Sequence, residues 1–182
     1  MVFCFINLIL YYTYKNVVLP NSYIDELKIS NYSYDKVKEK ALRLLEFRSH
    51  SEFELKQKLR INGATDEHIE DTLEFCRRYG FVNDQMYAER KAHDLINLKK
   101  YGIRRVRNEL KAKGIDDTII ENVICALDPD IEADALIGLV EKKLHGDFSD
   151  KNSEKCIRYF IYRGYDIYDI KDAMRTWIKQ IF

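Results

Sequence analysis

"YGIRRVRNELKAKGIDDTIIENVI", residues 101–124, carries the pattern on which the fold turns. Val106 and Leu110 stand eight and four residues before Gly114, the spacing of one buried helical face. Gly114 suits the left-handed residue that closes such a helix, because it has no Cβ to clash. Asp116 is a favoured N-cap, and Ile120 and Ile124 give the next helix its own i, i+4 apolar pair. The stretch therefore predicts a helix, a glycine turn and a second helix folded back on the first.

The same pattern occurs three times. Gly63, Gly114 and Gly164 are 51 and 50 residues apart. Leu59, Leu110 and Phe160 stand four before each glycine, and Leu55, Val106 and Cys156 eight before. Thr65, Asp116 and Asp166 follow two after, all good N-caps, with Ile69, Ile120 and Ile170 six after and Leu73, Ile124 and Met174 ten after. Ser51-x-x-Glu54 offers a capping box at the head of the first such helix. A further helical stretch precedes each pair, at residues 37–47, 85–98 and 131–144. The predicted fold is all-α: three tandem three-helix repeats, residues 36–83, 84–130 and 131–182, forming an elongated, curved body.

Residues 1–35 form a separate N-terminal segment. Its apolar run "VFCFINLILYYTY" is shorter than the roughly 18–20 residues of a membrane span and lacks the flanks of a signal peptide. Its β-branched and aromatic content would suit one or two strands.

The chemistry-bearing residues exclude several function classes. The four cysteines are scattered, which argues against a zinc site or disulfides and for a reducing, cytoplasmic setting. Cys156 occupies a core column, and Trp177 aligns with Cys76 and Leu127, so both are expected in the core or between repeats. His50, His68, His93 and His145 share no ligand spacing and are read as surface or interface residues. No Ser-His-Asp, H-E-x-x-H, P-loop or G-x-G-x-x-G pattern is present, so neither an enzyme nor a cofactor is expected.

Charge is balanced overall, with 30 Lys+Arg against 30 Asp+Glu, but not along the chain. Residues 99–113 carry a net +6 and residues 114–154 a net −8. On a helix, Arg104, Arg107 and Lys111 follow i, i+3, i+7 beside the apolar stripe of Ile103, Val106 and Leu110, and are expected to form an exposed basic face. The matching positions are Phe53, Lys56 and Arg60 in the first repeat, and Glu154, Ile157 and Ile161 in the third. Reversing Arg104 and Arg107 to Glu should then leave melting unchanged. Segregated charge of this kind fits a partner of mixed sign, since complementarity sets register and on-rate.

Three segments resemble the bacterial RecX family of regulatory proteins. They are "SEFELKQKL" at residues 51–59, "YGFVNDQMYA" at 79–88 and "YGIRRVRNELKAKGID" at 101–116. The likeness spans residues 41–127, and the third repeat matches in pattern only. The resemblance implies a non-enzymatic monomer that binds the groove of the RecA–single-stranded DNA filament and restrains its growth, ATP hydrolysis and strand exchange. By motif, Arg104, Arg105, Arg107, Glu109 and Lys111 would meet RecA or reach the DNA, followed by Lys56, Lys58 and Arg60. No membrane partner is implied. The competing reading is a stand-alone DNA-binding helical-repeat protein, because helix–turn–helix units can present a helix to a groove.

Overall fold

The computed structural model describes residues 33–127 and 129–181, which contain nine helices. They are α1 (Tyr34–Phe47), α2 (Glu52–Ile61), α3 (Asp66–Arg78), α4 (Asp84–Asn97), α5 (Ile103–Lys111), α6 (Asp117–Cys125), α7 (Pro129–Leu144), α8 (Asp150–Tyr162) and α9 (Ile167–Ile181). They run as three tandem sets of three. The strand reading of the N-terminal segment concerns residues 1–32, outside the described residues.

The glycine turns form by one device. The Gly63, Gly114 and Gly164 amides donate to the carbonyls of Arg60, Lys111 and Ile161, and the Ala64, Ile115 and Tyr165 amides donate to Leu59, Leu110 and Phe160. These paired bonds satisfy carbonyls that a helix end leaves open, and they need the positive φ of 87°, 71° and 95° that the glycines adopt. Ala64, Ile115 and Tyr165 are themselves buried, an apolar column not foreseen from the sequence. Thr65 and Asp116 then cap the next helix by accepting the His68 and Thr118 amides, and Asp166 accepts that of Tyr168.

The described residues divide into two compact units, one of residues 33–48 and Leu55–Tyr79, the other of Ser49–Glu54 and residues 80–181. In the first, α1 lies against α3, and Val37, Ala41, Leu55, Leu59, Ile69 and Leu73 are wholly buried. The second holds two cores. One joins α4, α5 and α6 around Leu95, Val106, Leu110 and Ile120. The other joins α7, α8 and α9 around Leu136, Val140, Phe160, Ile170 and Trp177. Cys156 and Trp177 are core residues, as expected, and burial pushes the Cys76 and Cys156 thiols up, away from reactivity. His50, expected at the surface or at an interface, is not at the surface. It is buried, in the strip that leads into α2.

Candidate functional site

The three segments that carry the family resemblance meet at one polar knot in the second unit. Ser51 Oγ accepts the Glu54 amide, one half of the anticipated capping box, and donates to the Lys113 carbonyl at 2.6 Å. The Glu54 carboxylate, only 12% exposed, takes Lys113 Nζ at 2.8 Å and Tyr87 Oη at 3.0 Å. Asp84 accepts the Glu52 amide at 2.8 Å and so caps α2 from another segment. Burial pushes the Asp84 carboxyl up, and that bond partly offsets the effect. Glu54, Asp84, Tyr87 and Lys113 are thus architectural residues, invisible as a group until the chain folds.

The basic stripe of α5 is ordered but not bare. Arg104 pairs with Asp166 at 2.7 Å, Arg105 with Glu109 at 2.9 Å, Arg107 with Glu121 at 2.9 Å and Lys111 with Asp117 at 2.8 Å. Arg104 is 66% exposed, whereas Arg107 is 32% exposed. Arg104 and Lys111 are exposed and Arg107 is half-buried, and acids from α6 and from the head of α9 stand against these cations, which the sequence places in a separate block. Charge segregated along the chain is interleaved in space.

These pairs repeat. Lys56–Glu70 in the first unit occupies the positions of Arg107–Glu121, and Arg60–Asp66 those of Lys111–Asp117. Each bridges the two helices across a glycine turn. A sign of this was available in the sequence, as opposite charges seven and three residues to either side of Gly63 and Gly114. In the third repeat the basic positions become Ile157 and Ile161, and the bridges are absent. Lys58 is half-buried and has no ion-pair partner among the described residues.

The bridges predict acid sensitivity. Hydrogen bonds from Arg60, Arg77 and Arg107 hold the Asp66, Glu70 and Glu121 carboxyls below their ordinary values. Groups depressed on folding contribute stability above the unfolded carboxylate pKa of about 4, and it is lost as pH falls through their folded values. Asp84, raised by burial, acts in the opposite sense but is outnumbered. The melting midpoint should fall between about pH 5 and pH 2, and Glu121→Gln should flatten that fall. A midpoint that rises on acidification would show the bridges are not formed.

Where α5 meets the third repeat, cations and tyrosines alternate. The Arg105 guanidinium lies 5.4 Å from the Tyr101 ring and 5.6 Å from Tyr162, and Arg163 lies 5.0 Å from Tyr101 and 5.4 Å from Tyr159. Arg163 also donates to the carbonyls of Lys99 and Lys100. Tyr162 is 75% exposed. No group of His, Cys, Asp and Glu among the described residues could hold a metal ion, and no described helix is long and apolar enough to cross a membrane.

Tandem three-helix domains, each folded about a glycine turn and the first two bridged by ion pairs across it, define a class of helical-repeat proteins. Family models for the first and second three-helix domains of RecX match residues 38–76 and 83–124. Regulatory protein RecX of Vibrio vulnificus is 32% identical over 139 residues, covering 75% of this chain and 90% of that protein. Its counterpart in Clostridioides difficile is 33% identical over 152 residues, covering 80% and 70%. The crystal structure of RecX from Lactobacillus salivarius superimposes with a TM-score of 0.72 at 21% identity, covering 79% of this chain and 96% of that one, which supports the fold. The chain belongs to the RecX family of regulatory proteins.

Proposed function

We propose that the protein binds the RecA–single-stranded DNA filament and restrains its growth, ATP hydrolysis and strand exchange, without catalysing a reaction of its own. The observation that carries this beyond family membership is the interleaving of charge on α5 and α6. A surface meant for DNA alone offers unpaired cations to phosphate. Here Arg104, Arg107 and Lys111 each lean on a carboxylate, so the face they present is mixed and suits a protein of complementary pattern. Arg104, Arg105, Arg107, Glu109 and Lys111, with Lys56, Lys58 and Arg60, are the residues assigned to that contact.

The test is RecA ATPase on single-stranded DNA titrated with this protein, beside binding to the same DNA without RecA across a salt series. Inhibition at stoichiometric protein is expected, with weak, shallow salt dependence in the absence of RecA. A second reading, stand-alone binding of single strands, is favoured by the exposed Tyr162 ring over Arg105, a surface on which a base can stack. Tight RecA-independent binding with a steep salt slope would establish it and overturn the first.

A further inference from the structure

The glycine turns of the second and third repeats are covered, and the covering is the same in both. Ser51 Oγ donates to the Lys113 carbonyl, just before Gly114. The Gly102 amide, at the corresponding position, donates to the Arg163 carbonyl just before Gly164 at 3.0 Å, and the Arg104 amide donates to Gly164 itself at 3.2 Å. The fit is close: a Cβ placed on Gly114 would come within 2.3 Å of Phe53 Cβ, and one on Gly164 within 2.3 Å of the Arg105 nitrogen. In each case the N-terminus of a helix sits on the carbonyl end of a turn, donor to acceptor and positive dipole end to negative.

The equivalent turn at Gly63 has the same φ sign, the same paired bonds and a buried Ala64, yet a Cβ there would meet nothing within 4 Å among the described residues. Neither the Asn62 nor the Gly63 carbonyl accepts a hydrogen bond among the described residues. Neighbouring Ile61 is 83% exposed. We infer that the Gly63 turn is a docking site for the N-terminus of a helix in a partner protein, which would lay its first amides, or a Ser or Gly cap, on these carbonyls as Ser51 and Gly102 do elsewhere in the chain.

Two observations narrow the occupant. Bare carbonyls at a helix C-terminus carry partial negative charge, so a nucleic-acid phosphate is repelled and a donor is required. At the repeat positions that match Ser51 and Gly102, the described residues of a second copy have no free equivalent to offer. Ser51 and Gly102 are already engaged, and at the corresponding third-repeat position the Asn152 amide donates to Ser149, inside a helix that begins one turn earlier. Identifying the partner as the filament protein rests on the function proposed above.

Gly63→Asn tests the site, because asparagine tolerates positive φ while its side chain fills the docking space. Full-length wild type and variant are melted and sedimented with RecA–single-stranded DNA filaments, alongside Gly114→Asn as the covered-turn control. The Gly63→Asn protein should melt close to wild type and bind the filament about tenfold or more weakly, since overlap at a docked backbone is poorly relieved. Wild type that binds no filament overturns the filament reading and the partner named here with it. Wild type and variant that bind equally overturn the docking turn alone. A loss of melting temperature equal to that of Gly114→Asn shows the turn is already covered within the chain, and a wild type that self-associates while the variant does not shows a second copy there. Either result overturns the proposal.

Discussion

Gly164→Ala unfolds the second unit far more readily than Gly63→Ala disturbs the first. Both glycines have positive φ, 95° and 87°, so each alanine carries the cost of a left-handed L-residue, about 1–2 kcal/mol. At Gly63 that is the whole effect, because no described residue stands within 4 Å of the added methyl. At Gly164 the methyl would also lie 2.3 Å from the Arg105 nitrogen and 2.9 Å from its Cα. Those are backbone atoms held by α5, and no side-chain rotation relieves them. Overpacking of that kind adds about 1–3 kcal/mol, for a total of roughly 2–5 kcal/mol. Gly102→Ala should resemble Gly164→Ala although its φ is an ordinary −75°, since its methyl would approach the Gly164 and Tyr165 backbone at 2.5 Å. Denaturant unfolding of the three variants decides it. Equal losses at Gly63 and Gly164 would mean that backbone strain alone is at work and the close approach is not.

Combining Arg104→Glu with Arg107→Glu should reduce inhibition of the RecA filament by about tenfold or more, because juxtaposed like charges at an interface suppress association. The paired geometry changes what else should happen. Arg107 is fixed at both ends of its guanidinium by the two Glu121 oxygens, and Arg104 is tied to Asp166. Melting should therefore fall, though modestly, as exposed pairs are weak. Adding Glu121→Arg restores one bridge with its polarity reversed, and so separates the two roles. Stability should recover while inhibition remains lost. Recovery of both would show that Arg107 acts only by clamping α5 to α6. An unchanged inhibition in the double variant would remove the stripe from the binding surface.

Much of the fold was legible in residues 101–124 and their two counterparts, because what they encode is local. Apolar residues four apart, a glycine that can take positive φ and a capping side chain two positions on each act within a few residues of one another. The burial of Leu59, Leu110, Phe160, Ile69, Ile120 and Ile170 follows from that spacing with no knowledge of neighbours. His50 shows where this reasoning stops: nothing within a helical turn decides between surface and interface for it, and only the folded chain shows it buried.

The charges belong to the same second category. Coulombic pairing depends on distance in space, and Arg107 and Glu121 come together only because the turn at Gly114 folds α6 back along α5. The sequence by itself determined nine helices among the described residues, the three turns and the residues beneath them. Only the tertiary structure decided that the basic run is paired with its neighbours, that Glu54 gathers Lys113 and Tyr87, and that of three like turns the one at Gly63 is left uncovered by the described residues. Periodicity along one helix is written in one dimension, whereas who stands opposite whom is settled only when the helices close on each other.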